Sequence, residues 1–286
     1  MNMMIETHRT LRALLAACIG AALVLAAAGR APAQETKLDA PRPHAVGQSV
    51  SPSFEGWYEN PDGSFSIVFG YFNRNHEEYL DIPVGPDNRI EPGPADRGQP
   101  THFLPRRHTG VFAIRVPADF GEQELTWSLT AHGRTIAIPG NLRPAWRIDA
   151  LKEVTNGNTP PVLRFAPDGD AGQGPAGVST RITAAPSRPV ELPVWTTDDG
   201  LSRTRGSIRT PPGVAWSKYR GPGAVTFSEV QPPLDDGHAV THATFGAPGK
   251  YTLRVLAWDE SGSQRGVMAG GFFCCWTNGF VTVDVR

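Results

Sequence analysis

Two adjacent cysteines near the C-terminus carry the most distinctive chemistry in this sequence. Cys274 and Cys275 are flanked by Phe272, Phe273 and Trp276. A disulfide between neighbouring cysteines closes a small strained ring, and strained disulfides tend to be reducible and functional. One interpretation is a vicinal disulfide that stiffens a hydrophobic loop tip for contact with a ligand or partner. The other is a pair of small apolar side chains buried beneath a hairpin.

A group of imidazole and guanidinium side chains forms a second candidate site. His102, Arg106, Arg107 and His108 lie in or beside a Pro-rich segment, residues 85–109. Little periodicity is visible there, so a long surface loop is expected. Such a cluster is suited to an anion or a sugar, although charges on an exposed loop are more often only solvated.

Motifs for catalysis and for metal binding are missing from the sequence. It contains no nucleophile elbow, P-loop or dinucleotide fingerprint, which favours a non-enzymatic protein. His238 and His242 are four residues apart on a predicted strand, about 13 Å, too far to share one zinc ion. The carboxylates of the loops lack the spacing of calcium motifs. We therefore predict no metal and no cofactor, with a structural calcium ion as the alternative.

The first 33 residues have the features of a secretory signal peptide. An apolar run follows Arg9 and Arg12, and Ala31-Pro32-Ala33 offers a cleavage site before Gln34. Lipidation of Cys18 is the less favoured alternative, because most of the apolar run follows this cysteine. The expected location is secreted or periplasmic, with no membrane span in the mature chain.

The charge balance argues against a nucleic-acid partner. Removal of residues 1–33 takes away three basic residues and one acidic residue and leaves a formal net charge of about −3. A general nucleic-acid binder carries a strongly basic surface.

Period-two alternation predicts an all-β protein of two β-sandwich domains. Leu125, Trp127 and Leu129 alternate with polar residues, and short strands separated by Gly and Pro turns recur throughout. The predicted segments after the signal peptide are a flexible lead-in (34–50), a β-sandwich (51–154), a Gly/Pro-rich linker (155–180) and a second β-sandwich (181–286).

The stretch Trp216–Asp259 resembles the PKD-type domain, an immunoglobulin-like β-sandwich. The matching motifs are Trp216-Ser217-Lys218, Gly221-Pro222-Gly223, Val225-Thr226-Phe227, Ala243-Thr244-Phe245, Pro248-Gly249, Tyr251-Thr252-Leu253 and Asp259, with Val281-Thr282-Val283 as the last strand. The resemblance implies a buried Trp216, a tyrosine corner at Tyr251, and Leu253 in place of the second cysteine of antibody domains. Residues 196–212 and 261–279 are insertions in this pattern. The N-terminal half resembles only secreted bacterial proteins of uncharacterised function.

These observations together predict an exported, non-enzymatic protein that acts in binding or in surface assembly. The expected partner is a protein or a polysaccharide at the cell surface. Two alternatives stay open. The aromatic residues of the sequence are compatible with a carbohydrate-binding accessory module, and the polar cluster is compatible with an enzyme whose site lies in the 85–109 loop.

Overall fold

Alternating apolar and polar side chains form β-strands along most of the chain. The computed structural model describes residues 44–154, 157–201, 212–259 and 274–286. These residues contain strands and one short 3-10 helix, Pro144–Trp146, so the predicted all-β class is confirmed. The predicted signal peptide, and Phe272 and Phe273 of the first candidate site, lie outside the described residues.

The strands β1–β8 build the N-terminal sandwich. They are β1 (Val50–Glu59), β2 (Phe65–Asn73), β3 (Leu80–Asp81), β4 (Asn88–Glu91), β5 (His102–Phe103), β6 (Arg106–Val116), β7 (Leu125–Ala131) and β8 (Arg134–Gly140). One sheet has the order β1-β2-β6 and a second has the order β4-β7-β8, while β3 pairs with β5. Because β1 also lies against β7 and β8, the two larger sheets enclose a common core.

Trp127 lies at the centre of the N-terminal core. Its ring meets Phe69 at 5.9 Å and Phe112 at 5.1 Å, edge to face in both cases, the arrangement that aromatic quadrupoles favour. Side chains along β7 alternate between buried and half-buried, so the pattern predicted for this strand is confirmed.

The strands β9–β16 build the C-terminal sandwich. They are β9 (Val162–Arg164), β10 (Val178–Ala184), β11 (Val190–Thr197), β12 (Gly213–Arg220), β13 (Val225–Phe227), β14 (His238–Phe245), β15 (Gly249–Trp258) and β16 (Trp276–Val285). One sheet has the order β9-β11-β14-β13 and the other β12-β15-β16-β10, with β10 parallel to β16. This strand order is that of an immunoglobulin-like sandwich.

Three residues fix the immunoglobulin-like core. Trp216 on β12 is 2% exposed and Leu253 on β15 is fully buried. The hydroxyl of Tyr251 donates to the carbonyl oxygen of Ala247 at 2.8 Å, which is the contact of a tyrosine corner. These features are common to immunoglobulin-like sandwiches, so they do not single out the PKD type.

Two segments that the sequence presents as loops contain strands. Within 155–180, β9 pairs with β11, and its Leu163 is fully buried. Within 85–109, β4 pairs with β7, and its Ile90 is fully buried. Both strands are too short to show periodicity among many Gly and Pro residues, so composition favoured a loop at each place.

Two other boundaries also differ from the expected ones. The described part of the lead-in is held in place, because the amide of Gln48 donates to the side-chain oxygen of Asn75 at 2.6 Å. The last strand begins at Trp276, inside the stretch 261–279 that was expected to be an insertion.

The two sandwiches share a hydrogen-bonded interface. The hydroxyl of Tyr219 donates to the carbonyl oxygen of Gly98 at 2.5 Å. The guanidinium of Arg220 forms a two-pronged ion pair with Asp96 at 2.8 and 3.0 Å. Since Tyr219 and Arg220 belong to β12, this strand clamps the 85–109 segment onto the C-terminal sandwich. The expected surface loop is therefore an interface in part, while its residues 91–96 are exposed as predicted for a loop.

Candidate functional site: a groove between the sandwiches

A groove of about 650 Å³ lies between the two sandwiches. From the N-terminal sandwich it is lined by residues before β3 and by residues of β5, β6 and the short turn between them. From the C-terminal sandwich it is lined by β12, β13, β15 and the segment after β13. Ligand sites form preferentially in clefts of this kind between domains.

His102 and Tyr79 form a stacked pair on the N-terminal wall. Their rings lie 5.7 Å apart and 16° from parallel, and Tyr79 is 59% exposed. Nδ1 of His102 lies 2.9 Å from a carboxylate oxygen of Asp81. Burial lowers the pKa of His102 and outweighs the opposing effect of Asp81, so its imidazole is neutral at neutral pH.

Arg106 and His108 lie on the same wall, at the start of β6. Arg106 has a φ of 76°, a conformation that costs energy for a side-chain-bearing residue. Its guanidinium contacts the imidazole of His76. The ring of His108 stacks on that of Tyr71 at 5.0 Å, and its Nε2 donates to the carbonyl oxygen of Pro105 at 3.1 Å.

Lys218 brings a cation from the opposite wall. Its Nζ lies 3.2 Å from the same oxygen of Asp81 that His102 contacts. Asp81 therefore links β5 to β12 across the two sandwiches.

Arg254 is a buried cation among the residues that line the groove. It is 5% exposed, and its Nε and Nη2 donate to the side-chain oxygen of Asn278 at 2.9 and 2.6 Å. No carboxylate pairs with it among the described residues. Burial lowers the pKa of Arg254 to about 10, while the nearby Tyr71 and Tyr219 act in the opposite direction.

The structure brings together three of the four polar residues that the sequence nominated. His102, Arg106 and His108 line the groove. Arg107 does not, because successive side chains on a strand point to opposite faces. It forms an ion pair with the buried carboxylate of Glu55 at 2.7 Å.

Sequence inspection missed His76, Tyr79, Lys218 and Arg254. A charge between two apolar residues of a strand is usually on a solvated face, and Arg254 follows this pattern between Leu253 and Val255. The groove face of β15 is covered only because another sandwich packs on it. No local signal in the sequence reveals that contact.

The cysteine pair lies away from the groove. Cys274 and Cys275 are 6% and 0% exposed, and the structure joins them as a vicinal disulfide. Their sulfur atoms lie 3.6 and 3.8 Å from the carbonyl oxygen of Asn158. Trp276 is 2% exposed and packs against Gly110 of β6. These described residues are therefore not an exposed contact surface, and oxidation of the pair stays a prediction.

Within the described ranges, no three His, Cys, Asp or Glu side chains are grouped so that they could hold a metal ion. His238 stacks on Trp195 at 4.7 Å, and both lie on strands. The described part of the chain also has no helix long and apolar enough to cross a membrane.

Comparison with known protein families and with curated proteins finds no match. Among solved structures, the chain is similar to domains 4 and 5 of the S-layer protein SbsC, with 13% identity over 57% of this chain and 65% of that one, at a TM-score of 0.24. It is also similar to a chimeric titin Z1Z2, with 10% identity over 84% of this chain and 98% of that one, at a TM-score of 0.24. The D0-D1 domain of intimin gives 10% identity over 83% and 98%, at a TM-score of 0.23. At these TM-scores the immunoglobulin-like assignment rests on the strand order alone.

Proposed function

We propose that this protein is an exported, non-enzymatic binding protein that holds its ligand in the groove between its two sandwiches. The observation that carries this proposal is the convergence of side chains from both sandwiches on one cleft of about 650 Å³. Ligand pockets have volumes of about 300–1,000 Å³ and a few converging polar groups. Export, and a PKD-type C-terminal sandwich, belong to the same proposal and are supported by the signal-peptide pattern and by the motifs around Trp216.

The exposed aromatic ring of Tyr79 at the groove favours a carbohydrate over other classes of ligand. Tyr79 presents one ring face to solvent and has its other face supported by His102. A flat, preorganised aromatic surface suits the apolar face of a sugar ring. This is the observation that favours the carbohydrate-binding alternative.

The His102–Asp81 contact is the observation that favours an enzyme. A neutral imidazole oriented by a carboxylate can act as a general base. However, Asp81 is also the partner of Lys218, so it serves as a link between the walls. We assign this contact to ligand positioning.

A larger, charged side chain placed in the groove tests the proposal directly. Val230 lines the groove and is 52% exposed, whereas Val154 is 74% exposed and lies outside it. Binding of the mature protein to a panel of oligosaccharides is measured by an array and by tryptophan fluorescence, since Trp216 also lines the groove. Val230→Glu should weaken any binding about ten-fold or more, and Val154→Glu should leave it unchanged.

Two results contradict the proposal. One is an unchanged affinity in Val230→Glu, which places the ligand elsewhere. The other is chemical conversion of a bound oligosaccharide, detected by chromatography of the reaction mixture, that is lost in His102→Asn. That result identifies an enzyme.

A further inference from the structure

The buried guanidinium of Arg254 lacks an anionic partner among the described residues. Its described hydrogen bonds go to one neutral oxygen of Asn278. A buried charge without a counter-charge is costly, and such charges are usually paired or neutralised. Leu253 and Val255 face the core of the C-terminal sandwich, so Arg254 points out of that core and towards the N-terminal sandwich.

The groove as a whole has an excess of positive charge. Arg106, Lys218 and Arg254 line it. The contacts of Arg106 go to an imidazole. Among the described residues, the one carboxylate in contact with these cations is Asp81, which Lys218 and His102 already share. A cleft with low-dielectric walls concentrates the field of such charges and attracts an anion.

The groove also offers an apolar face beside these cations. Tyr79 is exposed on one wall, and Phe227 and Val230 lie on the other. A purely aromatic acid would favour an enclosed apolar cavity. This groove is open and bears imidazole and hydroxyl groups, which suit a ligand with one apolar ring face and many hydroxyls.

We propose that the groove binds a carboxylate-bearing sugar, a uronic acid unit of an oligosaccharide. Its carboxylate is held by the cations of the groove, and its apolar ring face lies on Tyr79. Charge-assisted hydrogen bonds to Arg are the strong polar contacts of such a site. This assignment rests on the proposed binding function and specifies the ligand class of the same groove.

Trigalacturonate and its neutral methyl ester are the probes, and calorimetry measures their affinities. The acid should bind the full mature protein at least about ten-fold more tightly than the ester, with an affinity that falls as salt is added. Arg106→Gln should lower the affinity for the acid about ten-fold. Arg134→Gln is the matched control, because Arg134 is exposed on β8, and it should change nothing.

Arg254 supplies a second pair of variants. Arg254→Gln should lose the preference for the acid, and Arg254→Lys should keep part of it because the charge is retained. Thermal melting of both variants reports on folding, and Arg106→Gln keeps the test decisive if Arg254→Gln does not fold.

Equal affinity for acid and ester, tighter binding of the ester, or binding of benzoate without trigalacturonate would overturn the assignment. So would full affinity for the acid in Arg106→Gln. In each of these cases the proposed binding function still stands if Val230→Glu abolishes the binding that is observed. The two proposals therefore fail on different measurements.

Discussion

At the scale of single residues, Arg107 shows how a side chain with binding chemistry can have a structural role. It is the one described residue of the nominated polar cluster that points away from the groove. Its guanidinium forms two contacts to Glu55, at 2.7 and 2.9 Å, and the carboxylate side chain of Glu55 is only 3% exposed. Desolvation raises the pKa of Glu55 more than Arg107 lowers it. The charged form of Glu55 is therefore a cost that the ion pair only partly offsets.

This cost predicts a pH-dependent effect of Glu55→Gln. The pKa of Glu55 is raised from its ordinary value of 4.5 in the folded state, so the folded protein keeps this proton to a higher pH than the unfolded chain. The stabilisation that comes from holding this proton is fully present below the ordinary pKa of 4.5. It is lost as the pH rises through the raised pKa of the folded state. Glu55→Gln removes this pH dependence. From pH 4 to pH 7, the free energy of unfolding of the variant minus that of the wild type should rise by about 1 kcal/mol. Urea denaturation at each pH measures this difference. A constant difference across this range would contradict the prediction.

The cysteine pair gives a second prediction at this scale. Cys274 and Cys275 are buried and joined, and an oxidising compartment permits the bond. Intact-mass analysis of the exported, unreduced protein should give a mass about 2 Da below that of the reduced protein. Alkylation of both cysteines on denaturation without reductant would show that the pair is a dithiol.

At the scale of elements, β16 serves two interfaces at once. Val281, Val283 and Val285 enter the core of the C-terminal sandwich, while Phe280 on the opposite face packs against the N-terminal core. Successive side chains of a strand point to opposite faces, so one strand contributes side chains to both contacts. Around Phe280 the strand is packed on both faces, so a larger side chain on either face there should lower the stability.

Gly110 on β6 tests the contact between β6 and β16. Its φ is +55°, and an added Cβ would collide with the indole of Trp276. Gly133 has a similar φ of +71° and nothing within 4 Å of such a Cβ. Gly133→Ala should cost only the backbone strain, about 1 kcal/mol, whereas Gly110→Ala should cost about 2–4 kcal/mol. Chemical denaturation compares the two, and equal losses would contradict the packing of Trp276 on β6.

At the scale of the whole molecule, the described residues of the two sandwiches belong to one compact unit. Asn278 is central to it. Its amide nitrogen donates to the carbonyl oxygens of Gly110 and Pro175, each at 2.8 Å, and its oxygen accepts from Arg254. One side chain thus joins both sandwiches and satisfies the buried cation beside the groove.

Asn278→Ala should therefore destabilise the protein as a unit. Removal of the acceptor leaves the charge of Arg254 buried without its hydrogen-bond partner, which costs about 3 kcal/mol. Calorimetry of the wild type should show one unfolding transition, and the variant should show one transition at a lower temperature. Two separate transitions in either protein would mean that the sandwiches unfold independently.

The polar cluster nominated from the sequence consists of residues that are close in the chain. His102, Arg106 and His108 lie within seven residues of one another, and the structure places all three along the groove. His76, Tyr79, Lys218 and Arg254 belong to other strands and reach the groove only through strand pairing and packing between sandwiches. Arg107 was included because spacing along the chain does not reveal which face of a strand is covered.

Alternation and turn residues are local properties, so the β class could be predicted from the sequence alone. The immunoglobulin-like pattern around Trp216, Tyr251 and Leu253 was implied by the resemblance of these motifs to the PKD-type domain. The short strands β4 and β9 were hidden by Gly and Pro. Only the tertiary structure decided that β12, β15 and β16 meet the N-terminal sandwich. That contact buried Arg254, made part of the 85–109 segment an interface and formed the groove, because burial depends on partners that are remote in the chain.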